Sequence, residues 1–317
     1  MLPKRPPRQG QVGFLYLPPY RVQGISIAGE ETCVQIPELD VAFDIGRCPR
    51  LALTSPYIAL SHGHMDHVGG LPYYFSQRHF HKMGTGTVIC HPDLAPHLEN
   101  MMLSWIGIEQ QRTPHIIWPL GPGESMQVKN NVQLRALAVS HTVPALGYAL
   151  VEKRSKLREE FRDQPQTRLR ELKRDGVEIT HVLDIPLIAY TGDTELCPNL
   201  YSDEFVKARI VVTECTFFED DHRGRSRVGK HLHIDDLAQL IEAWQAEAVV
   251  LVHTSRRTNM STARGQLLRV LGEQRAQRVH FLMDHRTNAA RFAQQELAAQ
   301  QGASKAGDAT PEDEEAR

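Results

Sequence analysis

The run His62-Gly63-His64-Met65-Asp66-His67 constrains this chain more than any other feature, because it places three imidazoles and a carboxylate within one short turn. Groups of that kind, crowded together, repel or lose solvation unless a cation sits among them. With 16 histidines in 317 residues, a chance match to His-x-His-x-Asp-His is on the order of a few in a thousand, which argues against a merely solvated His-rich loop. Pro56-Tyr57-Ile58-Ala59-Leu60 precedes the run as an apolar, strand-like segment, and Gly69-Gly70-Leu71-Pro72 follows as turn residues. The cluster is therefore expected in a loop at a strand end. Imidazole nitrogen and carboxylate oxygen suit zinc first, with manganese or iron as alternatives, and no thiolate is close in sequence to suggest a structural cysteine site.

The rest of the composition is that of an ordinary globular enzyme, with 41% hydrophobic residues and a mean hydropathy of -0.37. No stretch approaches the roughly 20 apolar residues of a membrane span. Met1-Leu2-Pro3-Lys4-Arg5-Pro6-Pro7 lacks the apolar centre of a signal peptide, so no membrane partner and a cytoplasmic location are expected. The five cysteines, Cys33, Cys48, Cys90, Cys197 and Cys215, are odd in number and scattered, as reduced thiols would be. A net charge of -2 gives no global attraction to nucleic acid, so polyanion binding must come from a local patch. Residues 302–317 are small and acidic without apolar period and read as a disordered tail, leaving 1–301 as one hydrolase-sized domain.

A second signal is a series of short aliphatic runs that each end on a potential ligand. Val132 to Val139 leads to Ser140-His141, Pro186 to Tyr190 leads to Thr191-Gly192-Asp193-Thr194, and Ala248 to Val252 leads to His253-Thr254-Ser255. A fourth run, Ile210-Val211-Val212-Thr213, ends on Glu214. Strands that finish along one sheet edge would bring His141, Asp193 and His253 to the first cluster. Between the runs lie helical patterns such as Ile234 to Trp244, with His233 or its neighbour as the cap and Asp235 and Asp236 near the positive end of the dipole. Strands alternating with helices give an α/β layered arrangement.

Taken together, these motifs resemble the ordered signature of the metallo-β-lactamase fold, and the resemblance implies a four-layer αββα sandwich with a dinuclear metal site at the sheet edge. Within that superfamily the chain is most similar to ribonuclease Z, on the strength of Ala189-Tyr190-Thr191-Gly192-Asp193-Thr194, Thr213-Glu214-Cys215-Thr216-Phe217 and His253-Thr254-Ser255-Arg256-Arg257. The resemblance implies that His62, His64 and His141 hold one zinc, that Asp66, His67 and His253 hold the other, and that Asp193 bridges them. It further implies that Asp66 orients the attacking hydroxide and that His231, steered by Glu214, protonates the leaving 3′ oxygen. His233 stands as the alternative for that histidine. The implied partner is RNA, with precursor tRNA the most specific form, and the implied assembly is a homodimer.

The segment His222-Arg223-Gly224-Arg225-Ser226-Arg227-Val228-Gly229-Lys230 reads as a flexible loop running into His231, so Arg223, Arg225, Arg227 and Lys230, with Arg256 and Arg257, are candidate phosphate contacts. Solvated surface charge is the competing explanation. Residues 152–180 read as a charged, helical insertion, in the interval where ribonuclease Z carries an arm that grips tRNA. Here the interval lacks the Gly-Pro-rich character of that arm. Phe43-Asp44-Ile45-Gly46 replaces a longer Gly-rich segment, and no Pro-x-Lys-x-x-Arg-Asn stretch is present. These departures widen the expected substrates to another RNA or a small phosphodiester. An acyl hydrolase acting on thioesters, esters or lactones is the main rival reaction class, because the same two-metal scaffold attacks acyl carbon. A nonenzymatic nucleic-acid binding module is the third possibility, and a complete ligand set argues against it.

Overall fold

The β-branched runs form two seven-stranded sheets whose inner faces pack on each other and whose outer faces are covered by helices. The computed structural model describes residues 3–6 and 12–307. The first sheet runs in chain order through β1 (Gly13–Leu17), β2 (Tyr20–Ile27), β3 (Glu31–Ile36), β4 (Val41–Phe43), β5 (Tyr57–Ala59), β6 (Thr87–Cys90) and β7 (Ile116–Pro119). The second runs through β8 (Ser125–Lys129), β9 (Val132–Ala138), β10 (Leu146–Leu157), β11 (Thr180–Tyr190), β12 (Ile210–Glu214), β13 (Ala248–Val252) and β14 (Val279–Phe281). Each sheet begins antiparallel and becomes parallel, from β4 onward in the first and from β11 onward in the second.

Period-two alternation sorts the side chains between layers. In β11, Ile188 and Tyr190 enter the core between the sheets with Val34, Phe43, Leu134, Tyr148 and Val250, whereas Ala189 joins the layer beneath the helices. On the first sheet, α1 (Met65–Val68), α2 (Leu71–Phe80) and α3 (Ala95–Glu109) bury Val68, Tyr74, Phe75 and Leu98 against Ile58 and Val88. On the second, α5 (Asp203–Val206), following α4 (Gln166–Arg174) in the chain, and then α7 (Ile234–Ala243) and α8 (Met260–Ala276), following α6 (Arg223–Gly229), contribute Phe205, Leu237, Leu240 and Leu267, with Trp244 just past the end of α7. The central parallel strands β5, β6, β12 and β13 are therefore buried, as parallel strands require, whereas the edge strand β7 is largely exposed. This is the expected αββα sandwich. Among the described residues no helix is long and apolar enough to cross a membrane.

Three local expectations are corrected. The 152–180 interval is not chiefly helical: β10 and β11 continue past the sandwich as an antiparallel hairpin, paired from Glu152↔Ile185 to Leu157↔Thr180, with α4 near its tip. The 222–230 segment is not a loop but α6, and its turn ends at Lys230 in the left-handed conformation with φ 52°. The chain beyond 301 does not leave structure at that point, since α9 (His285–Gly307) continues to Gly307. The remainder of the expected tail, 308–317, lies outside the described residues.

Candidate metal centre

The strands that carry the sequence motifs end on one edge. His62 to His67 follow β5, His141 follows β9, Asp193 follows β11, and His253 follows β13 in the left-handed region with φ 55°. Gly192 makes the turn before Asp193 at φ 61°, and a Cβ there would lie 2.7 Å from that of Ser61, so only glycine fits both backbone and space.

All seven expected ligands converge. Donor atoms of His62, His64 and His141 lie within 4.8 Å of one another, as do those of Asp66, His67 and His253, and those of His62, His67 and Asp193. Asp193 Oδ2 stands between the first two sets, 3.1 Å from His253 Nε2, 3.3 Å from His67 Nε2 and 3.9 Å from His62 Nε2.

Outward hydrogen bonds fix which nitrogen is free in four of the five imidazoles. His67 Nδ1 donates to Asp44 Oδ2 at 2.8 Å, and His141 Nδ1 donates to the Lys230 carbonyl at 3.2 Å. Ser61 Oγ donates to Asp44, so it accepts from His62 Nδ1 at 3.0 Å. Thr216 Oγ1 donates to Glu214 at 2.6 Å and accepts from His253 Nδ1 at 2.9 Å. Four Nε2 atoms are therefore turned inward: those of His67 and His253 face Asp193 and Asp66, and those of His62 and His141 meet His64 Nδ1 at 3.0 and 3.4 Å. His67 Nε2 is buried without a hydrogen-bond partner while facing Asp193 and, at 3.6 Å, Asp66. Lone pairs aimed at carboxylate oxygens in a buried site require a positive charge between them, and the residues present fit a divalent metal.

The electrostatics agree. Burial, reinforced by the neighbouring imidazoles, pushes His62 down to about 2, which keeps its ring neutral and ligand-ready. Burial opposes charge on His67 as well, but the Asp193 and Asp44 carboxylates outweigh it and raise its pKa well above the usual value. Asp193 is held far below the carboxylate range despite complete burial, by His253 and His67. Positive charge is demanded at the centre of the cluster.

His231 lies against this cluster. Its ring stacks on His253 with centroids 5.1 Å apart at 20°, and its Nδ1 donates to Glu214 Oε1 at 2.8 Å. Glu214 is fully buried and also accepts from the Thr194 N–H and the Thr216 hydroxyl. Burial opposes the charged imidazole, yet Glu214 prevails and lifts His231 to about 9. His233 is turned away: its side chain accepts from Asp235 N and caps α7, with Asp236 completing a capping box.

The cations divide. Arg223 is held by Asp235, Arg256 makes a two-pronged pair with Glu30 at 2.8 and 2.6 Å, and Lys230 pairs with Glu195 at 3.0 Å. Arg225, Arg227 and Arg257 have no carboxylate partner among the described residues, and Arg225 and Arg257 line a cavity beside the cluster.

Residues not singled out as site residues support the ligands. Asp44, fully buried at φ 60°, accepts from His67, Ser61 and the Tyr190 hydroxyl at 2.6 Å. The Gly29 N–H donates to Asp66 Oδ2 at 2.9 Å. Asp44 ends the Val41-Ala42-Phe43 strand as the other ligands end theirs, which is the signal that could have found it. Asp44→Asn is expected to lower metal affinity by roughly 10- to 100-fold, because the His67 tautomer loses its anchor. Competition against a chromophoric chelator checks this, and unchanged affinity would show that Asp44 does not orient His67.

A β-lactamase superfamily domain model matches residues 50–254. Among known proteins, tRNase Z TRZ1 of Arabidopsis thaliana is 32% identical over 241 residues, 75% of this chain and 86% of the relative. The nuclear ribonuclease Z of Triticum aestivum is 36% identical over 164 residues, 52% of this chain and 93% of the relative. The crystal structure of human tRNase Z, short form, superposes with a TM-score of 0.54 at 15% identity, covering 85% of this chain and 95% of that one. Zinc-bound PqqB from Methylobacterium extorquens gives a TM-score of 0.51 at 12% identity, over 85% of this chain and 96% of its own.

Proposed function

This chain belongs to the β-lactamase superfamily and, within it, to the ribonuclease Z family of metal-dependent hydrolases, and from that premise we propose that it cleaves precursor tRNA endonucleolytically at the 3′ end through a two-zinc centre. The observation that carries this reading is the His231–Glu214 pair set against a complete cluster of imidazole and carboxylate ligands. His62, His64 and His141 would hold one ion, Asp66, His67 and His253 the other, with Asp193 shared, and the all-nitrogen-and-oxygen donor set supports zinc. When bound, the ions polarise a phosphoryl oxygen and lower the pKa of the attacking water.

The protein's own contribution is positional. Asp66, anchored by the Gly29 N–H, orients the attacking water. Glu214 holds His231 Nδ1 and raises the ring's pKa, so Nε2 is the atom that delivers a proton to the leaving 3′ oxygen. Glu214 acts through the groups it orients, His231 directly and His253 by way of the Thr216 hydroxyl. Arg225 and Arg257, which make no ion pair among the described residues, supply phosphate contacts, whereas Arg223 and Arg256 serve the protein's own carboxylates.

Acyl hydrolysis is less well supported, because a buried acid pair aimed at a leaving alkoxide has its use with a poor leaving group such as a ribose oxygen. The five free cysteines support a reducing, cytoplasmic setting. The exposed Leu103, Trp105 and Ile108 of α3 and Trp118 of β7 support a homodimer. Parallel turnover of the zinc-loaded protein on bis(p-nitrophenyl) phosphate and on a thioester and lactone panel tests the reaction class. Phosphodiester turnover is expected, and acyl turnover alone would overturn the proposal.

A further inference from the structure

A cavity of about 460 Å³ opens beside the metal centre, and it is within the ~300–1,000 Å³ range of sites that hold a small organic group. One wall is Ala28, next to Gly29, whose N–H is bonded to Asp66; another is Phe217, whose ring lies 6.2 Å from that of His231. The space thus adjoins both the hydrolytic cluster and the proton donor. Phe217 is half-buried, and the two imidazoles near it, His231 and His222, meet it at 64° and 72°, so neither stacks flat on its face. Arg225 and Arg257 also line it, against one carboxylate, Glu219.

The leaving oxygen decides which nucleoside is at hand. When the phosphorus–O3′ bond breaks, the electron pair stays on O3′ and the His231 proton goes to it. The ribose bearing that oxygen therefore lies on the His231 side, next to the cavity that Phe217 lines. We propose that this cavity receives the base of the nucleoside that keeps the new 3′ hydroxyl, stacked on Phe217, with Arg225 and Arg257 contacting the phosphate on its 5′ side. This rests on the phosphodiesterase reading of the metal centre. It assigns discrimination at the cut to a protein pocket rather than to a loop of the Pro-x-Lys-x-x-Arg-Asn kind, which the chain lacks. Stacking of a base on an aromatic side chain changes binding by roughly 5- to 150-fold, enough to place the scissile bond.

The test is a double-substitution cycle. Wild type and Phe217→Leu, which keeps apolar volume but removes the aromatic face, are compared on a precursor tRNA and on the same RNA made abasic at the nucleotide that carries the leaving oxygen. Each change alone is expected to raise KM by roughly ten-fold, and the two together by no more than either alone. Arg257→Ala is expected to weaken both RNAs alike and to reduce the salt dependence of binding by about one unit of slope. Independent, multiplying effects, or coupling of Phe217 to an abasic nucleotide on the 3′ trailer instead, would overturn the assignment. If the wild type cleaves no RNA, the ribonuclease reading fails. The pocket is then read from equilibrium binding of the two RNAs to the zinc-loaded chain, where equal affinities would overturn it.

Discussion

Asp193→Ala is expected to abolish turnover, by roughly four orders of magnitude or more, and to leave the chain unable to hold a full complement of metal. Asp193 faces His62, His67 and His253 at once, so no other carboxylate can take its place between the two ligand sets. Residues that act as one unit lose nearly the whole effect when one is removed. The stability effect has a definite direction. Metal binding only to the native chain adds stability by mass action, so zinc should raise the melting temperature of the wild type and raise that of Asp193→Ala far less. Metal analysis of the dialysed variant, with thermal melts at matched zinc, checks both parts. A variant that retained two ions per chain would remove Asp193 from the bridging position.

His231→Ala should behave differently, losing roughly 10²- to 10⁴-fold in kcat on RNA while keeping its metals. The ring touches the cluster by stacking on His253 and supplies none of the expected ligand atoms, so metal content should survive. The loss should depend on the leaving group. A ribose 3′ oxygen needs a proton as it departs, whereas p-nitrophenolate leaves without one, so turnover of bis(p-nitrophenyl) phosphate should fall far less. An equal loss on both substrates would mean that His231 shapes the site rather than donating a proton. Glu214→Gln should follow the same leaving-group pattern more weakly, because it removes the charge that lifts His231 to about 9 and leaves the ring in place.

The candidate ligands were legible because the chemistry is written in strand ends. His62 to His67 are contiguous, and His141, Asp193 and His253 each close an aliphatic run, so strand ends on one side of the sandwich were enough to gather them. Asp44 ends a run too, but a lone aspartate before Ile-Gly also suits a turn, and only the folded chain shows His67, Ser61 and Tyr190 converging on it. In the 152–180 interval Arg168, Glu171 and their neighbours repeat at helical spacing and do form α4, but the flanking strands are not legible there. The strand extensions on either side carry charges too and bury little, so their alternation has no apolar face to reveal it. In 223–229, glycines at both ends suggested a flexible loop, yet Ser226 buries itself and bonds back to the Arg223 carbonyl within a short helix. At the C-terminus, small and polar residues hid the continuation of α9, whose earlier turns are held by Phe292 against Phe14 and by Gln295 on the Tyr16 carbonyl.

The most direct test of the central claim is to map the ends of a precursor tRNA after incubation with the zinc-loaded protein. The expected products are a tRNA body ending in a 3′ hydroxyl at the junction with its trailer and a trailer beginning with a 5′ phosphate. An intact precursor under conditions where bis(p-nitrophenyl) phosphate is hydrolysed, or a cut that leaves the phosphate on the tRNA body, would contradict the account.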